Sequence, residues 1–226
     1  MKQRNHLTLT FIILAAGLAV QLSSAQTTAP FTTAEREEIY SQNIERRSTN
    51  IVAALKLEDS AKSVRVHDAI KSQYRSLRAR DEALDTMFAS LANNAPGVES
   101  NRAAVAKILS KQLHGQFLTK ISADLTAEQI EVVKDQLTYH KVKVTYDAYC
   151  EIVPKLTDAE KGKILEALKV AREEAMDGGS ADEKSAIFQK HKDGINSVLD
   201  ANGHNVSKAI KDWEAKQDAK AGSAAK

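Results

Sequence analysis

An all-α single domain of seven or eight helices is the fold class this sequence predicts, and three observations carry it. Apolar residues recur every three or four positions along most of the chain, the period that turns one side of a helix toward a core. Glycine and proline number only 9 and 3 in 226 residues, too few to punctuate a succession of strands and hairpins. Three hydroxyl residues are each followed three positions later by Glu or Gln, the pattern of a helix start. With 42% hydrophobic and 27% charged residues and 1 cysteine, the chain is neither a disordered tract nor a disulfide scaffold.

In chain order, residues 7–20 (LTLTFIILAAGLAV) form an apolar run behind Lys2 and Arg4 that ends at Ser23-Ser24-Ala25. Residues 1–25 therefore read as a cleaved export signal, which places the mature protein in the periplasm or outside the cell. Residues 26–32 read as a flexible start, and 33–216 as the helical domain. The spacing of Val64, Val66, Ile70, Tyr74, Leu77, Leu84, Met87, Phe88 and Leu91 predicts a long helix over 59–91, stopped by Asn93-Asn94-Ala95-Pro96-Gly97. Val105, Ile108, Leu109, Leu113, Phe117 and Ile121 predict a second. Capping boxes start helices at Thr126 (with Gln129), Thr157 (with Glu160) and Ser180 (with Glu183), and Leu125 can staple onto Ile130. The helix from 158 to 177 is expected to end in a left-handed turn at Gly178-Gly179. Val142 and Val144 alternate with lysines, so 138–146 reads as one irregular loop leading into a short helix from Tyr146 to Val153, before Pro154. Small polar residues make 217–226 a disordered tail.

Charge removes some functions. The leader carries two basic residues and no acid, so the 32 Lys and Arg of the whole chain fall to 30, against 30 Asp and Glu. A neutral mature chain has no excess with which to neutralise a phosphate backbone, and nucleic acid is not an expected partner. Nothing after the leader approaches the roughly 18 apolar residues of a membrane span, and Cys150 is not placed to carry a lipid, so no membrane anchor is expected. Cys150 has no partner in the chain and reads as a buried, inert thiol. His67, His114, His140, His191 and His204 include no pair three or four apart, so no metal or other cofactor is implied. No nucleophile elbow, phosphate loop or Cys–His pairing appears, and no catalytic residue is assigned; paired carboxylates are too abundant here to single out a hydrolase.

Two features stand out. Arg172 is the only arginine after Arg102 in a region otherwise supplied with lysine, and it falls four after Leu168 and four before Met176, on an apolar seam. A guanidinium there must be paired. Its partner is either internal acids, making it a structural tie between helices, or a ligand hydroxyl or carboxylate. Tyr139, Tyr146 and Tyr149 lie within eleven residues; their rings either pack in the core or stack on the C–H face of a sugar.

The blocks Leu137-Thr138-Tyr139, Val144-Thr145-Tyr146 with Tyr149, Pro154, Leu156-Thr157, Ala171-Arg172-Glu173, Ala175-Met176-Asp177, Gly179-Ser180, Lys184 and Phe188 resemble an uncharacterised secreted bacterial domain-of-unknown-function family to which sugar binding is ascribed. Leu57, Asp59, Val66, Ile70, Gln73, Tyr74 and Leu77 fit its first half, so the resemblance runs from about residue 43 to 214. The chain departs from the family pattern at Ile187 and His191, where aromatics are usual, and at Gly194, where a basic residue is. The resemblance implies a noncatalytic exported protein with an oligosaccharide or polysaccharide partner. Tyr139, Tyr146 and Tyr149 would supply ring faces, Arg172, Glu173 and Asp177 directional hydrogen bonds, and Thr145 and Lys184 the rim. A shallower likeness, the L-T-x-x-Q form of Leu125-Thr126-Ala127-Glu128-Gln129, is shared with small periplasmic helical stress chaperones, so an envelope chaperone or interaction protein is the competing expectation.

Overall fold

The structure, a computed structural model, describes residues 31–89, 91 and 97–224. The leader, the start up to residue 30 and the stop at Asn93 to Pro96 lie outside the described residues. Among these, eight helices and no strand form: α1 (Thr33–Leu55), α2 (Ser60–Ala89), α3 (Val98–Ser122), α4 (Ala127–Leu137), α5 (Lys141–Ile152), α6 (Asp158–Met176), α7 (Ala181–Ala201) and α8 (Val206–Ala224).

Local chemistry sets most boundaries. Thr32, the last residue of the expected flexible start, caps α1 through a reciprocal box with Glu35, and Lys56 ends that helix in a left-handed conformation. Asp59 Oδ1 accepts from the Lys62 amide at the start of α2. The boxes at Thr126 and Thr157 are complete on both sides. At Ser180 half of the box is present: its Oγ accepts from the Glu183 amide, while Glu183 Oε2 accepts from the Gly179 amide instead of that of Ser180. Glu160 does more than cap, because Asn202 Nδ2 donates to it at 3.0 Å and His204 Nε2 lies 3.0 Å away. The backbone and hydroxyl of Thr157, then Asn202 and His204, hold this carboxyl down at about 2, tying the start of α6 to the α7–α8 turn.

Three expectations need correction. The irregular segment is only the turn Thr138–His140; α5 begins at Lys141, and α5 places Val142, Tyr146, Tyr149 and Val153 on one helical stripe facing the core. Alternating Val and Lys looked extended, but the spacing of four, three and four to the residues beyond wins. The chain turns there through two left-handed residues, Tyr139 (φ 59°) and His140 (φ 55°), a conformation costly for anything but glycine. Second, Gly178 and Gly179 are not left-handed; their need is closeness. A Cβ on Gly179 would stand 2.0 Å from Asp81 Oδ2, and one on Gly178 3.0 Å from Lys184 Cγ. Third, α8 continues to Ala224, so residues 217–224 of the expected tail are helical.

Two apolar cores result. Ile44 and Ile51 of α1, Ile70 of α2, Ile121 of α3 and Val133 and Leu137 of α4 form the first, joined by Met176 from the end of α6. Val142 of α5, Leu168 of α6, Phe188 and Leu199 of α7 and Val206 of α8 form the second. Helix α6 packs on α4, α5 and α7, so it spans both. Polar groups gather where its inner face passes from one core to the other.

Candidate functional site

The eight candidate residues fall in three places. The first is that polar layer. Arg172 is 4% exposed: Nη1 donates to Asp135 Oδ1 at 2.7 Å, and Nη2 donates to Glu131 Oε2 and, at 3.3 Å, to Glu173 Oε1. Burial works against its charge, yet the hydrogen bonds from Asp135 and Glu131 outweigh burial and hold the guanidinium above its ordinary pKa. Of its two possible partners, the internal acids are therefore the ones present. Glu173 also accepts from Lys134 Nζ at 3.0 Å, and Asp177 Oδ1 lies 3.1 Å from His114 Nδ1. The backbone oxygen of Asp177 accepts from Arg80 Nη1 at 2.7 Å; Arg80 also donates to Ser110 Oγ and Asp81 Oδ1. Lys184, expected on a rim, is instead 2% exposed, with its Nζ donating to the carbonyls of Ala175 at 2.9 Å and Met176 at 3.3 Å. It satisfies the last turn of α6 from inside.

His114 makes this layer sensitive to pH. Its bond to Asp177 pushes its pKa above 6.5; burial and Lys134 oppose, and Glu173 adds to the rise. A raised histidine contributes stability that is complete below the unfolded value near 6.5 and is lost as pH climbs through the folded value. The wild-type melting temperature is thus expected to fall relative to His114→Gln as pH rises above about 6.5. Parallel melting curves for the two proteins would refute this.

The second place is the turn before α5. Tyr139 is 38% exposed, and the Arg47 guanidinium lies 4.4 Å from its ring centroid and 5.1 Å from that of Tyr74. Arg47 Nη1 donates to Tyr139 Oη at 2.6 Å. One arginine of α1 therefore fastens a strained turn to α1 and α2, and the cation–π contacts help offset the two left-handed residues. Tyr139 does not face Tyr146 or Tyr149 across a common hollow.

The third place is a groove between α5, α7 and α8, a cavity of about 310 Å³ to which Thr145 and Tyr149 both contribute. Tyr149 is 8% exposed, its hydroxyl donating to Asn196 Oδ1 at 2.6 Å, with Lys192 O at 3.3 Å. Burial raises its pKa, so the phenol stays protonated. Its bond fixes the Asn196 amide with the oxygen inward and leaves the NH₂ end to offer. The floor is apolar (Ala148, Ile152, Val206 and Ile210), with the exposed Val144 at its edge, and Gln189, Lys192 and Asn196 of α7 face Lys141 and Thr145 of α5. Tyr146 is half-buried on the same core, and the Cys150 thiol alongside pushes its hydroxyl pKa up. Cys150 itself is exposed, against expectation, because the stripe of α5 that faces inward excludes position 150.

Sequence reading missed Gln189 and Asn196. A signal existed: 189, 192 and 196 are spaced three and four, an uncharged-to-basic stripe beside the apolar one of α7. His191 and Gly194 line another cavity of about 440 Å³ between α6 and α7, where His191 Nε2 lies 3.0 Å from Glu174 Oε2.

Among the described residues no group of three His, Cys, Asp or Glu is placed to hold a metal ion, and no helix is long and apolar enough to cross a membrane. Among the described residues, the fold and its grooves define an all-α protein of eight helices in which a charged layer divides two cores. The family model of a protein of unknown function, DUF3826, matches residues 41–219, and the chain belongs to that family. No curated protein matches the chain.

Proposed function

We propose that this protein is exported and binds a carbohydrate without transforming it, and that the sugar lies in the groove of α5, α7 and α8. The observation that carries this reading is the groove's construction: an apolar floor to meet the C–H face of a sugar ring, and hydroxyl, amide and ammonium groups around it to meet the hydroxyls. Its volume is at the small end of the roughly 300–1,000 Å³ usual for ligand sites, which suits one or two sugar units. The apolar run and small-residue stop within residues 1–25 support export, and the family likeness points the same way. In this reading Arg172, Glu173, Asp177 and Lys184 hold the helices that frame the groove and do not touch sugar.

Calorimetric titration of the mature chain against a panel of oligosaccharides tests it. Asn196→Ala, which removes the oriented NH₂ donor, is expected to weaken the best ligand about tenfold, the value of one hydrogen bond of about 1.4 kcal/mol. Absence of binding across the panel, or binding that ignores both Asn196→Ala and Thr145→Val, would refute the proposal. One observation favours a second reading, an envelope chaperone: Met87, Leu91 and Ile108 are exposed apolar residues on α2, just beyond it and on α3. Suppression of client aggregation at near-equal stoichiometry, together with indifference to sugars, would select it.

A further inference from the structure

We infer that the outer face of α6 and α7, around the cavity of about 440 Å³, docks a second copy of this chain, with α6 of one copy antiparallel to α6 of the other. Ile164 and Ala167 of α6 and Ile195 and Leu199 of α7 make the floor. Lys163, Ala167, Val170 and Glu174 are spaced four, three and four along α6, so they share the stripe at the edge of that floor. His191, Gly194 and Val198 form the matching stripe of α7. Val170 and Val198 are 53% and 51% exposed, one on each stripe, and together with the floor they make one apolar patch that spans two helices. Between the two stripes the surface is low: Gly194 has nothing within 4 Å of where a Cβ would stand, so another helix can approach closely there.

Charge and register choose a copy of the same chain as the occupant. Lys163 makes no ion pair among the described residues, while Glu174 Oε2 lies 3.0 Å from His191 Nε2 and its side chain, half in water, has its other oxygen to offer. The two are eleven residues apart, three turns or about 16 Å, on the same stripe. Two copies can meet face to face in two ways. If the helices run parallel, Lys163 meets Lys163 and Glu174 meets Glu174. If they run antiparallel, Lys163 of each copy meets Glu174 of the other, and Ala167 meets Val170. The second arrangement also fits α7. Glu174 lies beside His191 and Glu160 beside Asn202, so the level midway between Lys163 and Glu174 falls at about Gly194 and Ile195. One two-fold axis at that level therefore pairs the opposite charges of α6 and sets the gap at Gly194 against the same gap in the second copy. Exposed ion pairs of this kind fix register, and the apolar patch supplies the attraction.

Sedimentation velocity of the mature chain tests the inference, and its outcome does not depend on sugar. A patch of two short helices is small for an interface, so a reversible dimer is expected, populated at about 100 μM and dissociating on dilution. Lys163→Glu and Glu174→Lys are each expected to weaken it at least tenfold, because each variant alone sets like charges together twice. An equimolar mixture of the two is expected to dimerise again, within about threefold of wild type, since the introduced acid then meets the introduced base and the native Lys163 meets the native Glu174. Gly194→Leu has room in the monomer, so it is expected to melt no lower than wild type and to abolish the dimer. A chain that is monomeric at about 100 μM overturns the inference, as does a dimer that Gly194→Leu leaves intact. Single variants that dimerise as wild type does, or folded variants whose mixture stays monomeric, overturn it too.

Discussion

Changing Glu131 to Gln and Asp135 to Asn together is expected to destabilise the protein by about 2–4 kcal/mol, more than changing Arg172 itself to Met. The asymmetry follows from where the charges sit. The Arg172 side chain is 5% exposed, whereas those of Glu131 and Asp135 are 48% and 38% exposed. With the acids neutralised, the guanidinium remains buried with Glu173 as its one charged partner at 3.3 Å, and water has little access to solvate it. Its Nε is already buried without a partner among the described residues, so the residue has no slack to lose. With Arg172→Met the stem is replaced by an apolar chain of similar length, and the two carboxylates relax into solvent, where an exposed ion pair is worth only about 0–1 kcal/mol. Urea unfolding of the double variant and of Arg172→Met at pH 7 reads the order directly. If the methionine variant is the weaker protein, the tie works through geometry that the carboxamides preserve, and the charge argument fails.

That tie shows what a sequence conveys and where it stops. The placement of Arg172 four residues from Leu168 and from Met176 was enough to bury it, because helical phase is local. The identity of its partners was not legible: Glu131 and Asp135 lie 41 and 37 residues earlier, on a helix whose acidic stripe is indistinguishable from a solvated face until α4 meets α6. Capping boxes at Thr126 and Thr157 were legible for the same local reason. The two glycines after α6 were visible as a stop but misread as to cause, since only the fold brings Asp81 of α2 and Lys184 of α7 against them. Tyr139 and Tyr149 were near in sequence yet separate in space; the left-handed pair at 139 and 140 turns one ring toward Arg47, while α5 carries the other against α7. The groove of α5, α7 and α8 was hardest of all. Its polar groups belong to threonine, glutamine, asparagine and lysine, which on any exposed helix are ordinary residues and gain meaning only when a second helix lines them up across a trough.

Lys184 should make the protein more stable as the solution becomes alkaline. Burial, reinforced by Arg47 and only partly countered by Asp177 and Glu183, brings its pKa down from 10.5 to about 8. Below pH 8 both folded and unfolded chains hold the proton, and the folded state bears the full cost of a buried ammonium. Between about 8 and 10.5 the unfolded chain keeps the proton and the folded chain releases it, so stability rises with pH by about 1.4 kcal/mol per unit, or about 3 kcal/mol across the window. Lys184→Met lacks this titration but leaves the carbonyls of Ala175 and Met176 without their donor, a loss of similar size. The two variants should therefore be close in stability near neutral pH, with wild type pulling ahead by about 2–3 kcal/mol at pH 10. Urea midpoints for both proteins at pH 7 and pH 10 measure the gap; a gap that does not widen means that the ammonium is solvated in solution. A donor is needed there because α6 ends inside the protein, where water cannot satisfy its last carbonyls. A lysine from α7 can reach them only across Gly178, where any side chain would press on its stem. The cost of the buried charge is therefore the cost of ending a helix at the junction of two cores, and raising the pH removes the charge while the amine still donates.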